Sequence, residues 1–157
     1  MDITIKEIEM KIIYIRFRGS YVAFRKNSLK MFNQLFSFAS KNNLITPETK
    51  VLTMYNDNPF ITREKDLRTS VAMTVPLDVE IIEEDGICVS HIVGRFGIGH
   101  FNITRNEYGQ AWKEMYNEWL FKSKYQARDA VPFELYVTQP PMNSKDKSFT
   151  DIYVPIE

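Results

Sequence analysis

Residues 133–136, Phe-Glu-Leu-Tyr, carry the chemistry around which this chain reads most easily. Phe, Leu, Tyr and Val dominate the run from Val131 to Pro140, and Pro132 and Pro140 bracket it as breakers, which predicts a strand. Strand side chains alternate, so Glu134 and Tyr136 share one face while Phe133 and Leu135 share the other. A carboxylate inside an apolar run must be solvated, paired or neutralised, because a charge stranded in low dielectric costs several kcal/mol. Two readings follow: a half-exposed strand with Glu134 in water, or Glu134 as the acidic floor of an aromatic-walled pocket for a cation. In the second, Tyr55, Tyr136, Tyr21 and Trp119 are the candidate aromatic ligand contacts, through stacking and cation–π attraction.

Other reactive residues read as structural. Asp57 and Arg68 flank a loop and are expected to pair across it. His91 and His100 have no cysteine or carboxylate cluster around them, so no metal is expected. Gly94, Gly97 and Gly99 are not followed by a Lys-Ser/Thr pair and form no phosphate loop. They mark bulges or close backbone approach. No Ser-His-Asp arrangement is evident, and no cofactor is expected. Trp112 and Trp119 fall on the helix face expected to bury, with Trp119 near enough the helix end to reach a ligand.

The chain has 157 residues, which suits one domain able to bury roughly 70% of its unfolded surface. Lys plus Arg balance Asp plus Glu, twenty against twenty, and no basic block offers an electrostatic footprint for nucleic acid. Cys88 stands alone, fits a reducing compartment and is expected to be a small buried apolar residue. The N-terminus is acidic, without a signal-peptide core, and no apolar run has membrane length, so a cytoplasmic protein is expected.

The elements that must position Glu134 follow from periodicity. Ile3–Ile8 and Met10–Phe17 read as strand, ended by Gly19. From Phe24 to Leu44 the period becomes helical, with Phe32, Leu35, Phe36 and Ala39 on the apolar face. Strands are expected at 50–55 and 67–75, then as one long or two short strands at 87–103. Thr104 and Glu107 have capping-box spacing and open a helix carrying Tyr108, Trp112, Met115 and Trp119 on one face. Strands at 133–137 and 150–154 complete the chain.

Each half is thus β-α-β-β, and the halves, about 1–78 and 79–157, align at nearly constant offset. Adding 80 carries Met31, Phe32, Leu35 and Phe36 onto Ala111, Trp112, Met115 and Tyr116; adding 81 carries 52–55 and Pro59 onto 133–136 and Pro140. Adding 79 carries 73–76 onto 152–155. Glu134 falls on Thr53, so the repeat is broken where it carries charge.

Residues 52–59 with Thr62, Lys65 and Arg68, Met73-Thr-Val-Pro76, Ala111-Trp112, Glu118-Trp119-Leu120, Pro132 to Tyr136 and Asp151 to Pro155 together resemble the GyrI-like small-molecule-binding (AraC-type effector-binding) domains, in particular the stand-alone, SbmC-like members. The resemblance spans essentially the whole chain. It implies an α+β fold of two SH2-like βαββ units forming a curved antiparallel sheet with two main helices and a central cleft. It also implies a lipophilic or cationic small-molecule ligand and places the ligand-contacting acid on Glu134. Family members often carry Gly-Pro-Tyr after the first strand of each half; here 19–21 read Gly-Ser-Tyr, and 100–102, His-Phe-Asn, stand in the second half. Where Ser-Gly-Tyr is common, 123–125 read Ser-Lys-Tyr. With no helix-turn-helix expected, the alternatives to ligand binding are a protein-interaction role on a partner such as gyrase or a regulator, or hydrolysis of cyclopropane-bearing toxins with Glu134 as the proton-handling group.

Overall fold

The computed structural model describes residues 1–139 and 143–157, so the breaker expected at Pro140 lies outside the described residues. The elements are β1 (Ile3–Arg18), α1 (Tyr21–Lys41), β2 (Val51–Tyr55), β3 (Arg68–Val75), β4 (Cys88–Ile103), α2 (Tyr108–Lys113), β5 (Phe133–Tyr136) and β6 (Ser148–Pro155). The fold is mixed α and β, its strands pairing antiparallel and two helices carrying most of the helical chain. The chain clusters into two compact units, Glu9–Val93 and Met1–Ile8 with Gly94–Glu157. Among the described residues no helix is long and apolar enough to cross a membrane.

In the unit Glu9–Val93, β3 pairs with β1 on one side and β2 on the other. Gly19, at φ +148°, turns the chain out of β1, and its N–H donates to Leu67 O at 2.8 Å. Ser20 caps α1, accepting from Ala23 N–H at 3.1 Å. The helix therefore starts three residues before the periodicity suggested and ends at Lys41 with Asn42 as C-cap. Its buried stripe is Phe24, Met31, Leu35, Phe38 and Ala39, at the a-d-e spacing of a helix lying on strands. This corrects the expected face: Leu35 and Ala39 are buried and Phe32 partly so, but Phe36 is 42% exposed and Phe38 takes the inner position. The stripe meets Ile13, Val71, Met73 and Val75, while Leu44 folds back into the same cluster. Cys88, expected to be buried, is half-buried at the start of β4.

In the other unit, β6 pairs with β4 and β5. The β4 stretch is one continuous strand. Thr104 and Glu107 form the expected capping box, with Thr104 N–H donating to the Glu107 carboxylate at 2.9 Å, and that bond holds the carboxyl below its usual range. The helix then departs from expectation: α2 runs six residues, Glu114–Trp119 is a π-helical turn, and Leu120–Lys122 closes as 3-10 helix. Ala111 and Met115 pack against Ile103, Ile152, Val154 and Ile156. A side chain at Gly97 would collide with the Trp119 ring and one at Gly99 with Met115 Sδ, so these two glycines bring β4 against the helix. On the opposite face, Phe133 stacks on its cross-strand partner Tyr153, centroids 4.4 Å apart, with Phe96 edge-on to both.

The ladders also correct the strand alignment. Leu52↔Ala72 through Tyr55↔Thr69 correspond to Phe133↔Tyr153 through Tyr136↔Thr150 at a constant offset of 81. Val71, not Met73, thus takes the place of Ile152, and the offset of 79 is two residues short. Ile13↔Met73 and Gly97↔Val154 put the first strands 84 apart, so the counterpart of Gly19-Ser20-Tyr21 is Ile103-Thr104-Arg105 rather than residues 100–102. The cap Ser20 then falls on the cap Thr104.

Two outcomes test this packing. Phe38→Ala should cost about 3–5 kcal/mol in urea denaturation and Phe36→Ala about 0.5 or less. Burial, helped by the Asp151 charge, pushes the Tyr153 phenol up to about 12. The unfolded chain releases that proton near pH 10 while the folded one keeps it, so stability should fall between about pH 10 and 12, and Tyr153→Phe should flatten the fall.

Candidate functional site

Pro132 precedes β5, and the four residues of β5 then alternate as a strand must. Glu134 lies opposite Ile152, whose side chain belongs to the cluster under the helix, so the carboxylate is on the helix-covered face. It is only 4% exposed. The reading with Glu134 in water is therefore overturned: helix and strand exclude solvent from it. Two neutral donors are among the groups that hold it. Trp112 Nε1–H donates to Oε1 at 2.8 Å, and Tyr136 Oη–H donates to Oε2 at 2.9 Å.

Trp112 is the residue the sequence missed. It sat on the helix face expected to bury, and its indole does pack there, but the ring nitrogen reaches the carboxylate. The available signal was the pairing of a Trp with a buried acid on the facing strand, since a buried indole N–H needs an acceptor. Tyr116 stacks on Trp112, centroids 6.3 Å apart and planes 18° off parallel, and burial pushes its phenol up. Phe121, 71% exposed, tilts against Tyr116 at 6.2 Å. Trp119 lies over Gly97 and against Tyr125 at 5.9 Å.

The other two candidates lie in the unit Glu9–Val93. Tyr21, in the first turn of α1, meets Tyr55, at the end of β2, edge to face at 5.8 Å and 88°. Burial and the nearby Asp57 raise the Tyr21 phenol. Asp57 pairs with Arg68 through both guanidinium and backbone N–H at 2.8–2.9 Å, ordering the loop as expected and holding the Asp57 carboxyl below its usual range.

The structure also supplies a chain that sequence reading did not find. Asp151 accepts from His100 Nδ1 at 2.8 Å, and His100 Nε2 meets Thr4 Oγ1 at 2.8 Å. The three residues come from β6, β4 and β1, and His100 and Asp151 are cross-strand partners. This chain ties the first residues of β1, whose Asp2 carbonyl accepts from His100 N–H at 3.0 Å, to the strands beside it. Among the described residues, no group of three or more His, Cys, Asp or Glu is placed to hold a metal ion. A shallow groove of about 280 Å³ lined by Glu9, Lys11, Lys50 and Leu77 has no part of the Glu134 cluster in it.

Equivalent positions of the two units differ in polar satisfaction. Tyr108 Oη bonds Thr150 Oγ1 at 3.0 Å, but Thr69 Oγ1, the counterpart of Thr150, is fully buried with no hydrogen-bond partner among the described residues.

Comparison with known proteins gives the family. The profile of the GyrI-like small molecule binding domain matches residues 1–157. A DNA gyrase inhibitor of Yersinia enterocolitica is 28% identical over 136 residues, covering 85% of this chain and 83% of its own. One from Erwinia billingiae is 24% identical over 127 residues, covering 80% and 79%. The C-terminal domain of EcmrR superposes with a TM-score of 0.78 at 18% identity, covering 99% of this chain and 97% of that one. In a complex of EcmrR with DNA, this chain spans 57% of the EcmrR chain, with a TM-score of 0.77 at 18% identity over 99% of this chain.

Two substitutions test the site's polar bookkeeping. Trp112→Phe removes a donor from a buried carboxylate and should destabilise by about 1–3 kcal/mol in urea denaturation. Thr69→Val, which removes an unsatisfied buried hydroxyl, should leave stability unchanged or raised by about 1 kcal/mol, whereas Thr150→Val should lower it.

Proposed function

The chain belongs to the GyrI-like small molecule binding domain family, and from that premise we propose that it binds a lipophilic, cationic small molecule with Glu134 as the anionic anchor. The observation that carries the reading is a buried carboxylate held by a Trp N–H and a Tyr O–H. The Trp and Tyr donors fix the two oxygens in place, and a carboxylate oriented beside aromatic rings suits a soft, weakly hydrated cation. Tyr136, Trp112 and Tyr116 supply aromatic faces for such a ligand in the same unit. Trp119 is proposed as a further contact there, and Tyr21 and Tyr55 as contacts offered by their own unit.

A structural neighbour is described as bound to tetraphenylphosphonium, with a TM-score of 0.59 at 10% identity, covering 100% of this chain and 94% of that one. A lipophilic cation is therefore a fitting first probe. We also read the two units as copies of one SH2-like βαββ element, a reading supported by their shared strand-helix-strand-strand order and by the ladder offset of 81. The name of the curated relatives raises contact with a protein such as gyrase as the second reading.

The test is a tryptophan-fluorescence titration of the wild type and Glu134→Gln with lipophilic cations, tetraphenylphosphonium among them, and with neutral analogues as controls. Saturable binding of the cations should weaken by about 1.5–3 kcal/mol in the variant. Equal binding by both proteins, or none by either, would remove Glu134 from the role and favour the protein-contact reading.

A further inference from the structure

Helix α1 buries one face and leaves a second apolar stripe uncovered. Val22, Leu29 and Phe36 lie seven residues apart and are 51%, 72% and 42% exposed. Residues at this spacing drift only about 20° per repeat, so they form one nearly straight line along the helix. At about 1.5 Å per residue the line is roughly 21 Å long. A period of seven is the pattern by which a second helix lies alongside the first at a shallow angle.

The charges around the stripe are of one sign. Helix α1 contains Arg25, Lys26, Lys30 and Lys41 and no Asp or Glu. Lys41 pairs with Glu84 at 3.5 Å. Arg25, Lys26 and Lys30 belong to none of the ion pairs among the described residues. At 100° per residue, Arg25 flanks the stripe on one side and Lys26 and Lys30 on the other. A second copy of this chain laid on the same face would bring these cations against themselves, which argues against a self-interface. The complementary surface is acidic, helical and apolar once every seven residues.

We propose that the outer face of α1 docks an acidic amphipathic helix of a protein partner, with Leu29 as the central apolar contact and Arg25, Lys26 and Lys30 as the charge readers. Partner choice then rests on sign as well as on apolar fit. This surface is built from residues of the unit Glu9–Val93 alone.

The probe is a fluorescein-labelled synthetic helix of four heptads with Leu at every seventh position and Glu flanking it, read by anisotropy. A twin with Lys in place of Glu, and phosphatidylglycerol vesicles, serve as controls. The wild type should bind the Glu helix saturably, with affinity that falls as salt is added, and should ignore the Lys twin. Leu29→Glu should weaken binding at least tenfold, and the double variant Lys26→Glu, Lys30→Glu should exchange preference to the Lys twin. Both changes lie on solvent-exposed positions, and unchanged far-UV circular dichroism with an unchanged urea midpoint verifies folding. No saturable binding of the Glu helix, binding indifferent to these variants, or binding to vesicles alone would overturn the proposal. Concentration-dependent dimerisation through α1 would overturn it in favour of a second copy.

Discussion

The burial of Glu134 is the constraint on which the unit containing β5 depends. Removing a carboxylate from water costs several kcal/mol unless its oxygens find donors in good geometry. Here the donors are Trp112 Nε1–H and Tyr136 Oη–H. Tyr136 comes free of charge in conformational terms, since it is two residues along the same strand and must share the face. Trp112 does not, because it sits on a helix whose start, register and approach must all be correct. The capping box at Thr104–Glu107 sets the start. Gly97 and Gly99 set the approach, because any side chain there would push the Trp119 ring or Met115 outward. The carboxylate therefore depends on the capping box and on the β4 glycines as well as on Trp112 and Tyr136, which hydrogen-bond it.

The same scaffold without that constraint is visible in the unit Glu9–Val93. Thr53 stands in place of Glu134 at the ladder offset of 81, and Phe32 in place of Trp112 at the sequence offset of 80. Apolar positions correspond closely: Leu35 and Met115, Val71 and Ile152, Met73 and Val154 are all buried. Polar groups and their partners are one place where the units differ. One unit leaves Thr69 Oγ1 buried with no partner among the described residues, while the other closes its hydroxyl with Tyr108. The two units share buried apolar positions and differ in their polar partners, which accords with function residing in site residues rather than in a fold as such.

This explains which parts of the molecule were legible in the sequence. The strands were, because β-branched and aromatic runs between Gly and Pro leave few alternatives, and the capping box was, because both partners lie within four residues. The buried face of α1 was only partly legible. Phe36 and Phe38 are equally apolar, and only the cap at Ser20 and the strands beneath decide which turns inward. The alignment of β3 with β6 slipped by two residues because Val-Pro recurs at the ends of both, and such a slip keeps every side chain on its proper face. The Thr4–His100–Asp151 chain joins residues up to 147 apart and carries no local signal. The π-helical turn is equally silent, since no residue type demands it.

The π turn also bears on the site. A straight α-helix repeats its face every 3.6 residues and a π turn is wider, so the π turn at Glu114–Trp119 sets Trp119 at another angle to Trp112 than α2 continued unchanged would. Widening the turn between them lets Tyr116 lie nearly parallel to Trp112 while Trp119 still drops onto Gly97. Each ring is thereby set by a different contact: Trp112 by a carboxylate, Tyr116 by an indole, Trp119 by a glycine. A helix of uniform pitch would force these three rings to compromise on one common face. The wider turn relaxes that constraint, and Trp112, in the α-helical turn before it, keeps its hydrogen bond to Glu134.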